Sequence, residues 1–210
     1  MSARKKHLVV GILGGIGSGK STVSKGLSTY FQTLTIDADR IGHEVLSIST
    51  VKDDIRQIFG DDVFNGVEIC RQSLAHQVFG SETHHKQALE KLEAIVHPEI
   101  RRKVEQQLSE VPDGIDVVLL DAAVMLEAGW DDLCDHIVFV DVPFEIRLTR
   151  VQDNRGWTAD ELRRREASQI SIDQKRNAST FVVDNSGSLE DAVQQLVSSI
   201  QPLIQTDSAH

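Results

Sequence analysis

A glycine-rich stretch near the start of the chain constrains its fold most strongly. Residues 14–21 read GGIGSGKS and fit the pattern GxxxxGK[ST] in full, between an apolar run and a helical pattern. Glycines let successive backbone N–H groups turn toward phosphate oxygens, and the positive end of the following helix adds to the attraction. Lys20 supplies a charge to the β- and γ-phosphates, and Ser21 supplies a hydroxyl for magnesium. The stretch predicts a nucleoside triphosphate site; the alternative is a glycine-rich turn that binds nothing.

The residues predicted to hold the nucleotide follow from this pattern. They are Gly14, Gly15, Ile16, Gly17, Ser18, Gly19, Lys20, Ser21 and Thr22.

Five short apolar runs predict the strands of a buried parallel sheet. They span residues 7–13, 33–37, 117–121, 136–141 and 180–184. Helical patterns fill the gaps, which indicates an α/β fold. The stretch 41–112 is mostly helical, and we expect Pro98 to interrupt it.

Composition excludes several classes of protein. With 210 residues and a net charge of −10, the chain lacks the basic surface that nucleic-acid phosphates require. The basic N-terminus leads into an apolar run that breaks at residues 14–15, and no run approaches ~20 apolar residues. Cys70 and Cys134 lie far apart without CxxC spacing, as is typical of reduced thiols. We therefore expect a cytoplasmic protein without membrane partners.

Two classes of triphosphate-binding protein compete at this point: a kinase acting on a small acceptor and a hydrolysing switch. A switch reads guanine through NKxD after a strand, whereas residues 51–54 read VKDD and do not follow one. Residues 184–187, DNSG, mimic a DxxG switch motif but come at the last predicted strand. The residues therefore favour a kinase.

Two aspartates end the second predicted strand. Along an extended segment, Asp37 and Asp39 would share a face at the carboxyl end of a strand beside the phosphate loop. A kinase must hold its acceptor hydroxyl at such a place. The alternative is that Asp39 caps a helix beginning near Arg40.

From these residues onward the chain resembles the dephospho-CoA kinase family. GGIGSGKST is followed at the family's spacing by IDAD, and then by HP with Arg101, LLD through Glu127, DVP, a basic segment with Gln169 and Arg176, and DNSG. The resemblance covers nearly the whole chain, and this ordered set is not shared with adenylate or shikimate kinases.

The resemblance implies a reaction and a set of roles. ATP with Mg²⁺ would phosphorylate the 3′-hydroxyl of dephospho-CoA, which is the last step of coenzyme A synthesis. Asp39 would be the catalytic acid–base residue, Asp37 would support the magnesium or the ribose, and His97 and Arg101 would contact the acceptor. A packing role is the alternative for His97. The oligomeric state stays open, as does another small-molecule or nucleoside kinase or a nucleotide-gated binding protein.

Further candidate site residues are predicted from their positions in the chain. Asp121 ends VVLLD, where it could hold a magnesium-bound water or cap a loop. Arginines 147, 150, 155 and 163–165 lie on a predicted lid; we expect most to be solvated and choose Arg150 and Arg155 to neutralise charge on the γ-phosphate. Asn185 follows the last strand, where this kinase class reads adenine, and it can form a turn at the same time.

The expected architecture is one kinase domain of the P-loop triphosphatase type. It is a three-layer sandwich whose five-stranded parallel sheet has the order 2-3-1-4-5. Residues 1–40, 113–143 and 179–204 form the nucleotide-binding core, 41–112 a helical acceptor-binding insertion, and 144–178 a lid. Three departures from the family pattern, at Leu13, Ala123 and Asn154-Arg155, leave lid chemistry and acceptor contacts open.

Overall fold

The computed structural model of the protein describes residues 7–80 and 82–208, so the basic residues 1–6 lie outside it. In chain order the elements are β1 (Leu8–Gly14), α1 (Lys20–Leu27), β2 (Thr33–Asp37), α2 (Ala38–Val45), α3 (Ser49–Phe59), β3 (Phe64–Asn65), β4 (Glu68–Ile69), α4 (Arg71–Val78), α5 (Thr83–Ser109), β5 (Val117–Asp121), β6 (His136–Asp141), α6 (Phe144–Arg155), α7 (Ala159–Glu166), α8 (Ile172–Asn177), β7 (Phe181–Asp184) and α9 (Leu189–Ser208).

The chain divides into two compact units. The sheet unit contains the residues up to Asp37 and from Glu110 onward, and the helical unit spans Ala38–Ser109. The assignment of residues 41–112 to acceptor binding and of residues 144–178 to a lid stays a prediction.

The five long strands form one parallel sheet in the order β2-β5-β1-β6-β7. Numbered among themselves along the chain, they run 2-3-1-4-5, so the predicted sheet is confirmed. The first and last strands begin one residue later than predicted. All residues of the central strand β1 are buried, because a parallel sheet is covered on both faces, and this explains its continuous apolar sequence.

Helices cover the sheet from both sides. Leu27 from α1 and Leu196 and Ile200 from α9 join Val10 of β1 in one buried cluster. Helix α8 packs against β1 and β6, and Val9, which points to the opposite face from Val10, is 1% exposed. Because all five strands are parallel, their carboxyl ends lie along one edge of the sheet.

The helical unit has its own core and one feature that the sequence analysis missed. Val51 and Ile55 of α3 and Leu74 and Val78 of α4 form its buried cluster. Strands β3 and β4 make a short antiparallel hairpin that was not predicted. With two residues in each strand, the hairpin is too short to show the alternation by which strands are recognised.

The expected interruption at Pro98 is wrong. Helix α5 is continuous over 27 residues with Pro98 inside it. An interior proline costs about 3 kcal/mol or more because it removes one backbone hydrogen bond and crowds the preceding turn. Packing against α2, α3 and α4, with Ile100 and Val104 buried, offsets that cost.

Two helices have the length of a membrane span. Helices α5 and α9 contain 27 and 20 residues, and about 20 suffice to cross a bilayer. Neither of them, nor any other helix in the described part of the chain, is apolar enough to do so.

Replacing Leu119 with alanine tests the sheet core. Leu119 lies on β5, is 1% exposed and belongs to the buried cluster beneath α1 and α9. Truncation removes buried surface and leaves a cavity, so we expect the free energy of unfolding to fall by about 2–5 kcal/mol. Urea unfolding followed by tryptophan fluorescence measures this quantity, because Trp130 and Trp157 both belong to the sheet unit.

The matched control is the same change at Leu189. That side chain is 43% exposed, so its loss should change the free energy of unfolding by less than about 0.5 kcal/mol. Equal losses from both variants would contradict the assignment of Leu119 to the core.

Candidate active site

The glycine-rich loop connects the central strand to the first helix, as its motif requires. Strand β1 ends at Gly14 and helix α1 begins at Lys20. Gly17 and Gly19 have φ values of +80° and +81°, in the left-handed region that costs other L-residues about 1–2 kcal/mol. The loop therefore delivers Lys20 into the first turn of α1, where backbone N–H groups have no acceptor within the helix.

Space also dictates glycine in this loop. A Cβ atom at Gly19 would lie 2.7 Å from Nδ2 of Asn185, and one at Gly15 would lie 2.8 Å from Nη1 of Arg147. Both distances are shorter than real Cβ contacts, so these two polar side chains occupy the volume that larger residues would need. Gly15 and Gly19 are therefore required by Arg147 and Asn185, two residues outside the glycine motif.

Side-chain donors occupy carbonyl groups of the loop. Nδ2 of Asn185 donates to the Ser18 carbonyl oxygen at 2.8 Å, and Nη1 of Arg150 donates to the same oxygen at 3.3 Å. Nη1 of Arg147 donates to the Ile16 carbonyl oxygen at 3.1 Å. Because these carbonyl oxygens are held by donors, N–H groups remain as the part of the loop suited to bind an anion.

Arg147 is a buried structural cation, whereas we expected most of the lid arginines to be solvated. It is 5% exposed, its Nε donates to the Val142 carbonyl oxygen at 3.0 Å, and it forms an ion pair with Glu166 of α7. A buried guanidinium needs such partners because desolvation of an unpaired charge is costly. The sequence alone could not predict this burial, because neither Ile16 nor Glu166 is near Arg147 in the chain.

The structure brings two predicted residues, Arg150 and Asn185, together beneath the loop. Nη2 of Arg150 donates to the Asn185 carbonyl oxygen at 2.8 Å, and the Asn185 side chain is 5% exposed. Both residues also line a cleft of about 490 Å³. Other residues that line it include Gly17, Gly19, Thr22 and Arg155. The cleft is large enough for a nucleoside and lies beside the loop.

The turn after β7 is held by its first aspartate. The Asp184 carboxylate accepts the Ser186 N–H at 2.8 Å. Hydrogen bonds from the Ser186 side chain and backbone lower the pKa of Asp184 below its ordinary value. The backbone N–H of Asn185 donates to the Asp141 carbonyl oxygen of β6 at 2.9 Å. Residues 184–187 therefore form a fixed turn that sets the position of Asn185.

Two aspartates end neighbouring strands of the sheet on the other side of β1. Asp37 of β2 and Asp121 of β5 are register partners at the carboxyl ends of neighbouring strands. The Ser21 hydroxyl donates to Oδ2 of Asp121 at 3.4 Å. The predicted metal residues Ser21 and Asp121 are thus brought together. Within the described residues, no group of three or more His, Cys, Asp or Glu could hold a metal.

The remaining lid arginines lie on the surface. Arg155, at the end of α6, is exposed and stacks on Trp157 with 4.8 Å from its Cζ to the ring centroid. Arg164 and Arg165 pair with Glu161 of their own helix, and these two arginines lower the pKa of Glu161. Among the predicted lid arginines, Arg150 and Arg155 line the cleft of about 490 Å³.

Three of the four predicted acceptor residues belong to the helical unit, whereas Asp37 belongs to the sheet unit. Asp39 is exposed and is the second residue of α2. The prediction that it extends the strand face is wrong, because β2 ends at Asp37. The capping alternative is also displaced, since α2 begins at Ala38 rather than near Arg40. A carboxylate in a first helical turn interacts favourably with the helix dipole.

His97 and Arg101 lie on α5, where Nε of Arg101 donates to Glu105 at 2.8 Å.

One buried cation near the loop is absent from the predicted residues. Lys175 of α8 is 3% exposed and lines a second, smaller cavity together with Lys20. Helix α8 has only six residues, too few for hydrophobic periodicity to show which side is buried.

Comparisons with known proteins agree with this geometry. The family model described as CoaE: Dephospho-CoA kinase matches residues 8–191. The dephospho-CoA kinase of Corynebacterium diphtheriae is 37% identical over 183 residues, which cover 86% of this chain and 89% of that protein. The crystal structure of TT1252 from Thermus thermophilus has a TM-score of 0.78 at 30% identity, covering 94% of this chain and 97% of that one.

A more distant solved structure adds support for the fold. The dephospho-CoA kinase from Campylobacter jejuni has a TM-score of 0.59 at 24% identity, covering 94% of this chain and 98% of its own. At that identity the likeness concerns the fold alone. The family match runs from the first strand into α9, and it includes the loop, the carboxylate edge and the turn at Asn185. The chain belongs to the dephospho-CoA kinase family.

Proposed function

We propose that this chain transfers the terminal phosphoryl group of ATP to the 3′-hydroxyl of dephospho-CoA, giving coenzyme A and ADP. The observation that carries the proposal is a complete phosphate-binding loop in a chain that matches this family over residues 8–191. Side-chain donors bind the Ile16 and Ser18 carbonyl oxygens of this loop. The reaction completes coenzyme A biosynthesis.

The loop and its lysine bind the triphosphate. Backbone N–H groups of residues 14–22 and the first turn of α1 supply donors and positive potential. Lys20 adds a point charge toward the β- and γ-phosphates. Phosphoryl transfer passes through a loose transition state, so positioning and charge neutralisation contribute most of the catalysis.

Magnesium fits the oxygen donors at the carboxylate edge. The Ser21 hydroxyl and the Asp121 carboxylate lie within hydrogen-bonding reach, and Mg²⁺ prefers one or two protein oxygens together with waters and phosphate oxygens. Ser21 and Asp121 would therefore hold it, and Asp37, the register partner of Asp121, would support it or the ribose. The ion, when bound, neutralises charge on the phosphates.

The acceptor hydroxyl needs a residue that orients it and accepts its proton. Asp39 is proposed for that role, with support from its place two residues beyond the end of β2 and from the family pattern IDAD. General-base assistance is typically worth about 10²–10⁴ in rate. His97 and Arg101 are proposed to contact the acceptor.

Asn185 and the two arginines of the cleft are proposed to act on the nucleotide. Asn185 and its turn would read adenine, which is supported by the position of Asn185 in the lining of the cleft. Arg150 and Arg155 would neutralise charge on the phosphates as residues 144–178 close over them. We also propose a cytoplasmic location, which agrees with the free thiols of Cys70 and Cys134.

A comparison of acceptors tests the proposed function. The protein is incubated with ATP and Mg²⁺ and with dephospho-CoA, adenosine, AMP or shikimate, and ADP is measured for each. We expect ADP to form rapidly with dephospho-CoA alone. Turnover only with a nucleoside or with shikimate would assign a different kinase, and hydrolysis of ATP without any acceptor would point to a switch.

Replacing Asp39 with asparagine tests the proposed base. Asparagine keeps the size of the side chain but cannot accept the proton, so we expect kcat to fall about 10²–10⁴-fold while the Kd for ATP stays unchanged. Steady-state kinetics and calorimetric titration with ATP measure the two quantities. Asp53→Asn, at an exposed position of α3 in the same unit, is the matched control. Near-normal turnover of Asp39→Asn would leave Asp39 as a helix-terminal residue only.

Replacing Ser21 with alanine tests the proposed metal contact. Loss of the hydroxyl should raise the Mg²⁺ concentration that gives half-maximal activity, and threonine at the same position should restore it. Ser28→Ala is the control, because the Ser28 hydroxyl donates to the Lys25 carbonyl oxygen at the far end of α1. An unchanged Mg²⁺ requirement in Ser21→Ala would remove Ser21 from the metal site.

A further inference from the structure

Lys175 lies in a short helix whose N-terminal end is held by hydrogen bonds. Helix α8 begins with a capping box in which Ser171 and Gln174 satisfy each other's backbone N–H groups. Just before it, the Ile170 N–H donates to the Glu127 carboxylate at 2.9 Å. Hydrogen bonds at and just before the start of its own helix therefore help to set the position of Lys175.

The surroundings of the Lys175 ammonium are unusual for a lysine. The side chain is 3% exposed, and lysines are almost never fully buried unless they are paired. In the part of the chain that the structure describes, the hydrogen bond of Nζ goes to a neutral amide, Oε1 of Gln169, at 2.7 Å. An ammonium has three donors, so the bond to Gln169 uses one of them.

Charges around Lys175 act in both directions. Burial is the main reason that the pKa of Lys175 lies below its ordinary value, and the positive charge of Lys20 lowers it further. The carboxylates of Glu127 and Glu166 raise it. Two lysines that repel each other in a partly desolvated place favour an anion between them.

A small cavity shows where that anion would sit. It measures about 70 Å³ and is lined by Gly14, Lys20, Ala122, Gln169 and Lys175, among others. A single water needs only roughly 10–15 Å³, so the cavity has room for a larger group. Its lining shares no residue with that of the 490 Å³ cleft beside Asn185.

The two cavities lie along the same loop. Gly17 and Gly19 line the larger cleft, whereas Gly14 and Ile16 line the smaller cavity. A triphosphate whose nucleoside occupies the cleft would run along the loop toward the smaller cavity. Its last phosphate would then reach the place where Lys20 and Lys175 converge.

We propose that Lys175 is a second cation of the phosphate site and contacts the terminal phosphate of ATP together with Lys20. The proposal rests on the proposed function, since it assigns one phosphate of that substrate. Gln169 takes one of the three ammonium donors and orients the group, which leaves two donors for phosphate oxygens. These donors neutralise charge on the transferred phosphoryl group in the transition state.

The proposed contact with the terminal phosphate predicts different effects of Lys175 on ATP and ADP binding. After transfer, ADP lacks the phosphate that Lys175 contacts, so Lys175 should favour ATP over ADP. A lysine that only supports the fold would affect both nucleotides alike.

Binding measurements with Lys175→Met test the proposal. Methionine fills the same space without charge, and Lys25→Met, at an exposed position of α1, is the matched control. The Kd values of ADP and of the non-hydrolysable β,γ-imido analogue of ATP are measured by calorimetry for each protein. We expect Lys175→Met to weaken the analogue about 10- to 100-fold, the loss typical of a hydrogen bond to a charged group, with ADP unchanged and kcat reduced. Lys25→Met should match the wild type.

A second variant, Gln169→Glu, keeps the lysine, so a loss of affinity in it cannot come from removal of the Lys175 side chain. Gln169→Glu places a carboxylate against Nζ, which should hold the ammonium in an internal ion pair and weaken the analogue but not ADP. Nucleotide-free Lys175→Met should unfold at no lower temperature than the wild type, because it removes a buried charge.

The outcomes separate this proposal from the proposed function. Unchanged affinity of Lys175→Met for the analogue, or equal losses for the analogue and ADP, would overturn the role of Lys175 while wild-type turnover of dephospho-CoA stands. A wild type that binds neither nucleotide would overturn both.

Discussion

The candidate site depends on side-chain donors that bind carbonyl oxygens of the phosphate-binding loop. Arg147, Arg150 and Asn185 occupy the carbonyl oxygens of Ile16 and Ser18, and an anion therefore meets N–H groups rather than oxygens. This arrangement requires a guanidinium in the interior, which is stable only because Glu166 and a backbone carbonyl satisfy Arg147. Removing one partner of such a buried pair costs about 3–5 kcal/mol, so loop geometry and core stability are linked.

The order of the strands determines on which side of the loop each of these polar residues lies. Because β1 is central, its neighbour β5 brings Asp121 to one side, and β6 and β7 bring Asp141 and Asn185 to the other. The proposed metal residue Asp121 and the cleft residue Asn185 therefore lie on opposite sides of β1. In an acidic chain with a net charge of −10, the proposed binding of a triphosphate relies on local cations, because charges in a partly desolvated site interact more strongly than charges in water.

Local patterns predicted the fold because each of them reports on a local physical requirement. Continuous apolar runs indicated strands buried on both faces, and the glycine motif indicated the turn from β1 to α1. Predictions failed where packing outweighed a local preference, as in helix α5, which continues through Pro98. They also failed at Asp39, since alternation along a strand does not reveal where that strand becomes a helix.

The sequence by itself determined the five-stranded sheet, the phosphate loop and the family to which the chain belongs. Only the tertiary structure decided which cations lie beside the loop. Arg147 lies 131 residues from Ile16 along the chain, and Lys175 meets Lys20 at a cavity that no motif spans. A buried charge is recognised by its partners and its loss of solvent, and both exist only after distant segments have packed together.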